Sequence, residues 1–132
     1  MKESIRLSET FPVSAKKIFD ALLNSKEHSA IIGGKAEIFP RRGTKFRIWN
    51  GYITGNNIIV QPYGRIVQTW RTKEFPDGAQ DSNLEILLEK VNGGTKLTMI
   101  HSNLPDGESK KYEKGWKDYY LRPMKKYFKT HH

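Results

Sequence analysis

The chain has 132 residues, 36% of them hydrophobic, and a formal charge of +9 from 23 Lys and Arg against 14 Asp and Glu; this suits one domain and is too apolar for a disordered chain. Cysteine is absent, which excludes disulfides, thiolate metal ligands and a cysteine nucleophile. No apolar run approaches the ~18 residues of a membrane span, and none follows Met1-Lys2-Glu3-Ser4 as the core of a signal peptide. The expectation is therefore a single cytoplasmic domain over 1–132, with no membrane association, whose positive charge speeds encounter with acidic partners.

Ile5, Leu7 and Glu9 alternate with Arg6, Ser8 and Thr10, the period of a strand, and Phe11-Pro12 ends it. Ser14 is placed to cap a helix whose Ala15, Ile18, Phe19, Leu22 and Leu23 form an apolar stripe. A second short helix is predicted over 26–32, closed by Gly33-Gly34. Strands follow over 36–39, 44–49, 52–61, 65–72, 82–91 and 95–102, with hairpin signals at Asn50-Gly51 and Asn92-Gly93-Gly94. After Leu104-Pro105-Asp106-Gly107 the period turns helical, and Tyr112, Trp116, Tyr119, Tyr120, Pro123, Met124, Tyr127 and Phe128 share a broad stripe to about Lys129. Pro123 lacks the N–H that would bond the Tyr119 carbonyl, so a kink is expected there. His131-His132 reads as an unanchored tag remnant.

This order has few compact solutions. A curved antiparallel sheet of about seven strands exposes an apolar face that one long C-terminal helix covers, and two short helices after strand one close its end. That is an α+β helix-grip architecture.

Several motifs carry a resemblance: Thr54-Gly55 before an Ile-Ile-Val strand, Ile66 through Arg71, Phe75-Pro76-Asp77-Gly78, Gly94 through Thr98, and Gly115-Trp116-Lys117-Asp118-Tyr119-Tyr120. In this order they resemble the C-terminal domain of the activator of heat-shock protein 90 ATPase, over nearly the whole chain. The resemblance implies a START-related, birch-pollen-allergen-like fold. It also implies a non-catalytic co-chaperone role in binding heat-shock protein 90 and promoting its ATP-driven closure, here with no N-terminal activator domain. A second reading, from the wider superfamily, is a small hydrophobic ligand held between sheet and helix.

Trp70, Trp116, Tyr119 and Tyr120 are the candidates for a ligand cavity, although an aromatic stripe at helical spacing is more often plain core. Arg71 follows Trp70 on a strand and so belongs to the outer sheet face. Phe75 in the Pro-Asp-Gly turn is tucked under the loop or exposed as an anchor. With Lys114 and Lys117, these two residues are the candidates for partner contact. Arg41, Arg42, Lys45 and Arg47 read first as charges protecting a sheet edge, then as a surface for an acidic protein, and last for single-stranded nucleic acid. No nucleophile–base pair, carboxylate pair, His/Asp/Glu metal spacing or phosphate loop is present in the sequence, so neither catalytic residues nor a cofactor is expected.

Overall fold

A computed structural model describes residues 2–131. Met1 and His132, which opened the stretch read as signal-free and closed the pair read as a tag, lie outside the described residues. Seven antiparallel strands form one sheet in the order β1-β7-β6-β5-β4-β3-β2. The strands are β1 (Glu3–Phe11), β2 (Ala36–Glu37), β3 (Lys45–Ile48), β4 (Ile53–Gln61), β5 (Arg65–Thr72), β6 (Ser82–Val91) and β7 (Gly94–Leu104). Strands β2 to β7 are a meander. Since β1 and β2 hold opposite edges, the chain must cross between them, and α1 (Ala15–Leu22) with α2 (Ser25–Ile32) makes the crossing. Ser14 Oγ caps α1 by accepting the Lys17 N–H at 3.1 Å, and Asn24 Oδ1 caps α2 by accepting the Glu27 N–H at 2.9 Å.

The concave face buries Phe46, Ile48, Ile66, Trp70, Leu84, Ile86, Leu97 and Met99. Against it lies a helical stretch that buries Tyr112, Trp116, Tyr120, Met124 and Phe128. This is the helix-grip arrangement. The interior between sheet and helix retains only about 30 Å³ of free space, near His28, Gln68, Met99 and Tyr120, room for little more than a water molecule. Side chains fill the grip.

Four local expectations change. The long helix is not one continuous α-helix: α3 (Ser109–Trp116) and α4 (Arg122–Thr130) are joined by a π-helical turn over Lys117–Leu121, which takes in Tyr119. There the Arg122 N–H reaches back five residues to the Lys117 carbonyl, and Pro123 falls in the first turn of α4. The first strand of the meander shortens to two residues because Ser25 Oγ takes both the N–H and the C=O of Ile38, each at 2.9 Å. Trp49 leaves β3 for the turn, where Trp49, Asn50 and Gly51 all have positive φ, at 52°, 57° and 91°. Finally, His131 is not unanchored, since its ring stacks on Tyr127 at 3.9 Å.

Gly55 stands opposite Trp70 in the β4–β5 ladder, and a methyl group on it would overlap the Thr69 carbonyl oxygen and the Phe46 ring. Gly115 on α3 differs, because a methyl there would meet open space. Gly55→Ala is expected to destabilise the fold by about 2–4 kcal/mol through overpacking against backbone. Gly115→Ala is expected to stabilise it by up to about 1 kcal/mol through helix propensity. Urea midpoints of the two variants should move in opposite directions.

Candidate functional site

The residues at the sheet–helix seam are ordered by a buried chain of hydrogen bonds. Trp116 Nε1 donates to His101 Nδ1 at 2.9 Å. An indole N–H can only donate, so the neutral imidazole carries its proton on Nε2. That proton is donated to Ser82 Oγ at 2.8 Å, and the Ser82 hydroxyl is donated to the Trp70 carbonyl at 2.6 Å. Each donor meets an acceptor from helix to sheet. Burial pulls the His101 ring down to about 3, so it stays neutral as the chain of bonds requires. Ser82 and His101 do not form a nucleophile–base pair: the histidine donates to the serine, and the serine proton is committed to a carbonyl.

Around this relay the rings close on Trp70. Its centroid lies 5.4 Å from Tyr112, 5.5 Å from Trp116 and 6.1 Å from Phe75, distances at which edge and tilted contacts add roughly 0.5–1.5 kcal/mol each. A second buried imidazole works in the opposite sense. His28 Nδ1 faces the Leu22 carbonyl at 2.8 Å and must donate, so Nε2 accepts the Tyr120 hydroxyl proton at 2.7 Å. Burial lowers the His28 pKa and raises that of Tyr120.

The outer side of this cluster is a surface cleft of about 150 Å³. All four cavity candidates, Trp70, Trp116, Tyr119 and Tyr120, line it, together with Trp49, Tyr52, Tyr112 and Gly115. Successive residues of the π turn point Tyr120 inward and leave Tyr119 59% exposed, while the left-handed turn swings Trp49 against Tyr119 at 5.8 Å. At the other end Tyr52 donates its hydroxyl to Glu74 Oε2, and Lys111 Nζ reaches Glu74 Oε1 at 2.9 Å. Burial together with the Glu74 bond pushes the Tyr52 phenol up to about 12. Burial also draws the Lys111 ammonium down, but Glu74 and Glu108 outweigh it and hold its pKa above the usual value.

The four partner candidates divide. Phe75 is 5% exposed and packed on Trp70 and Tyr112, so the tucked alternative holds and the ring offers no anchor. Arg71 is half-buried and committed: Nη1 donates to the Ala79 carbonyl at 2.8 Å and to Asp81 Oδ1 at 2.9 Å, and its guanidinium lies over Phe75. It pins the loop before β6. Lys114 and Lys117 are exposed on α3 and the π turn, in surface pairs with Asp118 and Glu113 that contribute little.

Tyr112, Ser82, His101 and His28 were not expected as site residues, and Trp49 and Tyr52, expected only as the aromatics beside the basic residues 41–47, line the cleft instead. A signal existed for His101, which shares the inward period of Leu97 and Met99 on β7 and must be neutral and paired there. The register that sets Ser82 beside Trp70 leaves no trace in the sequence.

A curved seven-stranded sheet gripping a helical stretch, with a filled interior and an aromatic cleft at the seam, defines a helix-grip protein of the START-related class. The chain belongs to the family described as Activator of Hsp90 ATPase homolog 1-like protein, whose model matches residues 12–129. It is 29% identical over 124 residues to the human Activator of 90 kDa heat shock protein ATPase homolog 1, covering 94% of this chain and 36% of that protein. With the Activator of 90 kDa heat shock protein ATPase homolog of Dictyostelium discoideum it shares 29% over 128 residues, covering 96% and 33%. The chain thus spans about a third of the length of these curated relatives. A solved HSP90 activator from Plasmodium falciparum has the same fold, with a TM-score of 0.84 at 22% identity over 92% of each chain.

Both buried histidines make stability depend on pH. Their folded pKa values lie below the ordinary value of 6.5, so the unfolded chain binds more protons and the contribution, complete above pH 6.5, is lost as pH falls. For His101 the loss runs from about 6.5 to about 3, and reaches about 2 kcal/mol by pH 5. Denaturation free energies should fall accordingly. Imidazole ¹⁵N shifts at neutral pH should report opposite tautomers, Nδ1–H for His28 and Nε2–H for His101.

Proposed function

We propose that this chain is a non-catalytic co-chaperone module that binds heat-shock protein 90 and stimulates its ATPase. The observation that carries this reading is the family match across residues 12–129, which takes in every strand of the sheet but β1 and all the residues that line the cleft. The packed interior supports it. A carrier of a hydrophobic molecule needs a pocket of roughly 300 Å³ or more, whereas the interior space is about 30 Å³ and the cleft about 150 Å³. Binding then falls to the surface. Stimulation requires only that this surface bind the closed chaperone more tightly than the open one, since a ligand shifts an equilibrium by its differential affinity. Lys114 and Lys117 are the chain neighbours of Gly115 and Trp116, which line the cleft, and supply the charge, and the cleft itself, at about 150 Å³, is sized for a single partner side chain.

The test is to mix the purified chain with the heat-shock protein 90 of the same organism and follow ATP turnover and binding by calorimetry. Saturable stimulation is expected, with affinity falling as salt rises. Lys114→Glu combined with Lys117→Glu should weaken binding about tenfold, or ~1.4 kcal/mol. Gly115→Leu, which fills the cleft from an open position, should reduce stimulation at least as much. Absence of binding at low salt overturns the reading.

A further inference from the structure

A second surface runs along β2 and β3 to the loop at the far end of β3 from the cleft. Residues 35–47 hold five basic side chains, Lys35, Arg41, Arg42, Lys45 and Arg47, against one acid, Glu37. A tenth of the chain therefore carries a local excess of four, against nine for the whole. Among the described residues Glu37 pairs with Lys35 and Arg47, and no ion pair engages Arg41, Arg42 or Lys45. In their midst Phe39 is 54% exposed.

A lone exposed aromatic is ordinary on a protein surface. This one is held differently. Asn57 is 0% exposed and directs its polar groups at the loop: its Nδ2 donates to the Phe39 carbonyl at 3.0 Å and to Thr44 Oγ1 at 3.3 Å, its N–H to the Thr44 carbonyl at 2.8 Å, and its carbonyl accepts the Gly43 N–H at 2.6 Å. Gln68 holds Asn57 Oδ1 from below at 2.9 Å. On the other side Ser25 fixes both backbone groups of Ile38, and Pro40 restricts the φ/ψ space of Phe39. The ladder between β4 and β5 slips between Asn57 and Ile59. That bulge leaves Ile58 without a partner in the register and 44% exposed.

Protection of a sheet edge accounts for the cations but not for the aromatic, because an exposed Phe beside an edge invites association. A loop ordered in advance, which exposes an apolar ring in the same short segment as Arg41, Arg42 and Lys45, has the composition of a binding hot spot whose ordering entropy is already met by folding. We propose that the loop over residues 39–45 is a docking element for an acidic protein segment that carries an apolar side chain, Phe39 taking the apolar group while Arg41, Arg42 and Lys45 take the flanking carboxylates. Nucleic acid fits less well, since it needs successive aromatic platforms for stacking and this surface offers one ring. The inference does not depend on the chaperone reading, because it concerns other residues and a partner defined by its chemistry alone.

The experiment is fluorescence polarisation with a short labelled peptide of alternating Asp and Glu around one central Phe, with an oligouridylate RNA as the competing probe. The wild-type chain should bind the peptide in a salt-dependent way and more tightly than the RNA. Phe39→Ala, which leaves the charge unchanged and removes an exposed ring, should weaken binding about fivefold. Arg41→Glu with Arg42→Glu should weaken it at least about tenfold, and the remote charge-matched control Lys90→Glu with Lys129→Glu less than about twofold. Circular dichroism melts verify that each variant is folded. The proposal is overturned if Phe39→Ala binds as the wild type does, if the remote pair costs as much as the arginine pair, or if the RNA binds more tightly than the peptide.

Discussion

The seating of the helical stretch on the sheet depends on one neutral imidazole. His101 lies on the inner face of β7, accepts from Trp116 on α3 and donates to Ser82 on β6, which in turn donates to the carbonyl of Trp70 on β5. A buried polar group left without a partner costs about 1–3 kcal/mol; the two bonds of Ser82 lie within the sheet and hold the imidazole in place, and the Trp116 N–H meets His101 Nδ1 only when helix and sheet are in register. Apolar packing alone would tolerate a slide of the helix along the concave face. The directional bonds do not, which is how two tryptophans far apart in the chain come to share one position. His28 and Tyr120 repeat the device where α2 meets the π turn.

Departures from regular backbone gather where the surface is shaped. The π turn places Tyr119 outside and Tyr120 inside, the left-handed Trp49 closes one end of the cleft, and the β4 bulge sits beside the Asn57 cradle. Bulges and π turns each disturb a regular hydrogen-bond ladder and persist where the surroundings over-determine them. Here the surroundings are an indole lying on Gly34, which leaves no room for a Cβ, and a fully buried asparagine. The interior is ordinary in comparison. It is filled with rings and aliphatic chains, so the distinctive chemistry of the molecule is on its skin.

The two surfaces differ in kind. The cleft is aromatic, half-lidded by the Tyr52–Glu74–Lys111 contacts, and suited to receive a side chain. The loop over 39–45 is basic and exposes the Phe39 ring. On surfaces of these two kinds, rim charge governs encounter and a central apolar contact governs residence.

The order of elements, the inward faces of the strands and the stripe of the C-terminal helix were legible in the sequence, since alternation with period 2 or 3.6 is imposed locally by burial on one side. Strands β5 and β6 match their predicted bounds residue for residue, and the aromatic motifs were rightly placed at the seam. Tertiary structure decided the rest. That Phe75 is tucked and Arg71 committed follows from the path of a loop, and that Ser82 lies beside Trp70 follows from a strand register. The π turn before Pro123 is a change of backbone hydrogen bonding that the apolar stripe does not reveal. Periodicity tells which way a side chain faces. Only long-range pairing tells what it meets, and the bonds that position both surfaces of this protein join residues distant in sequence.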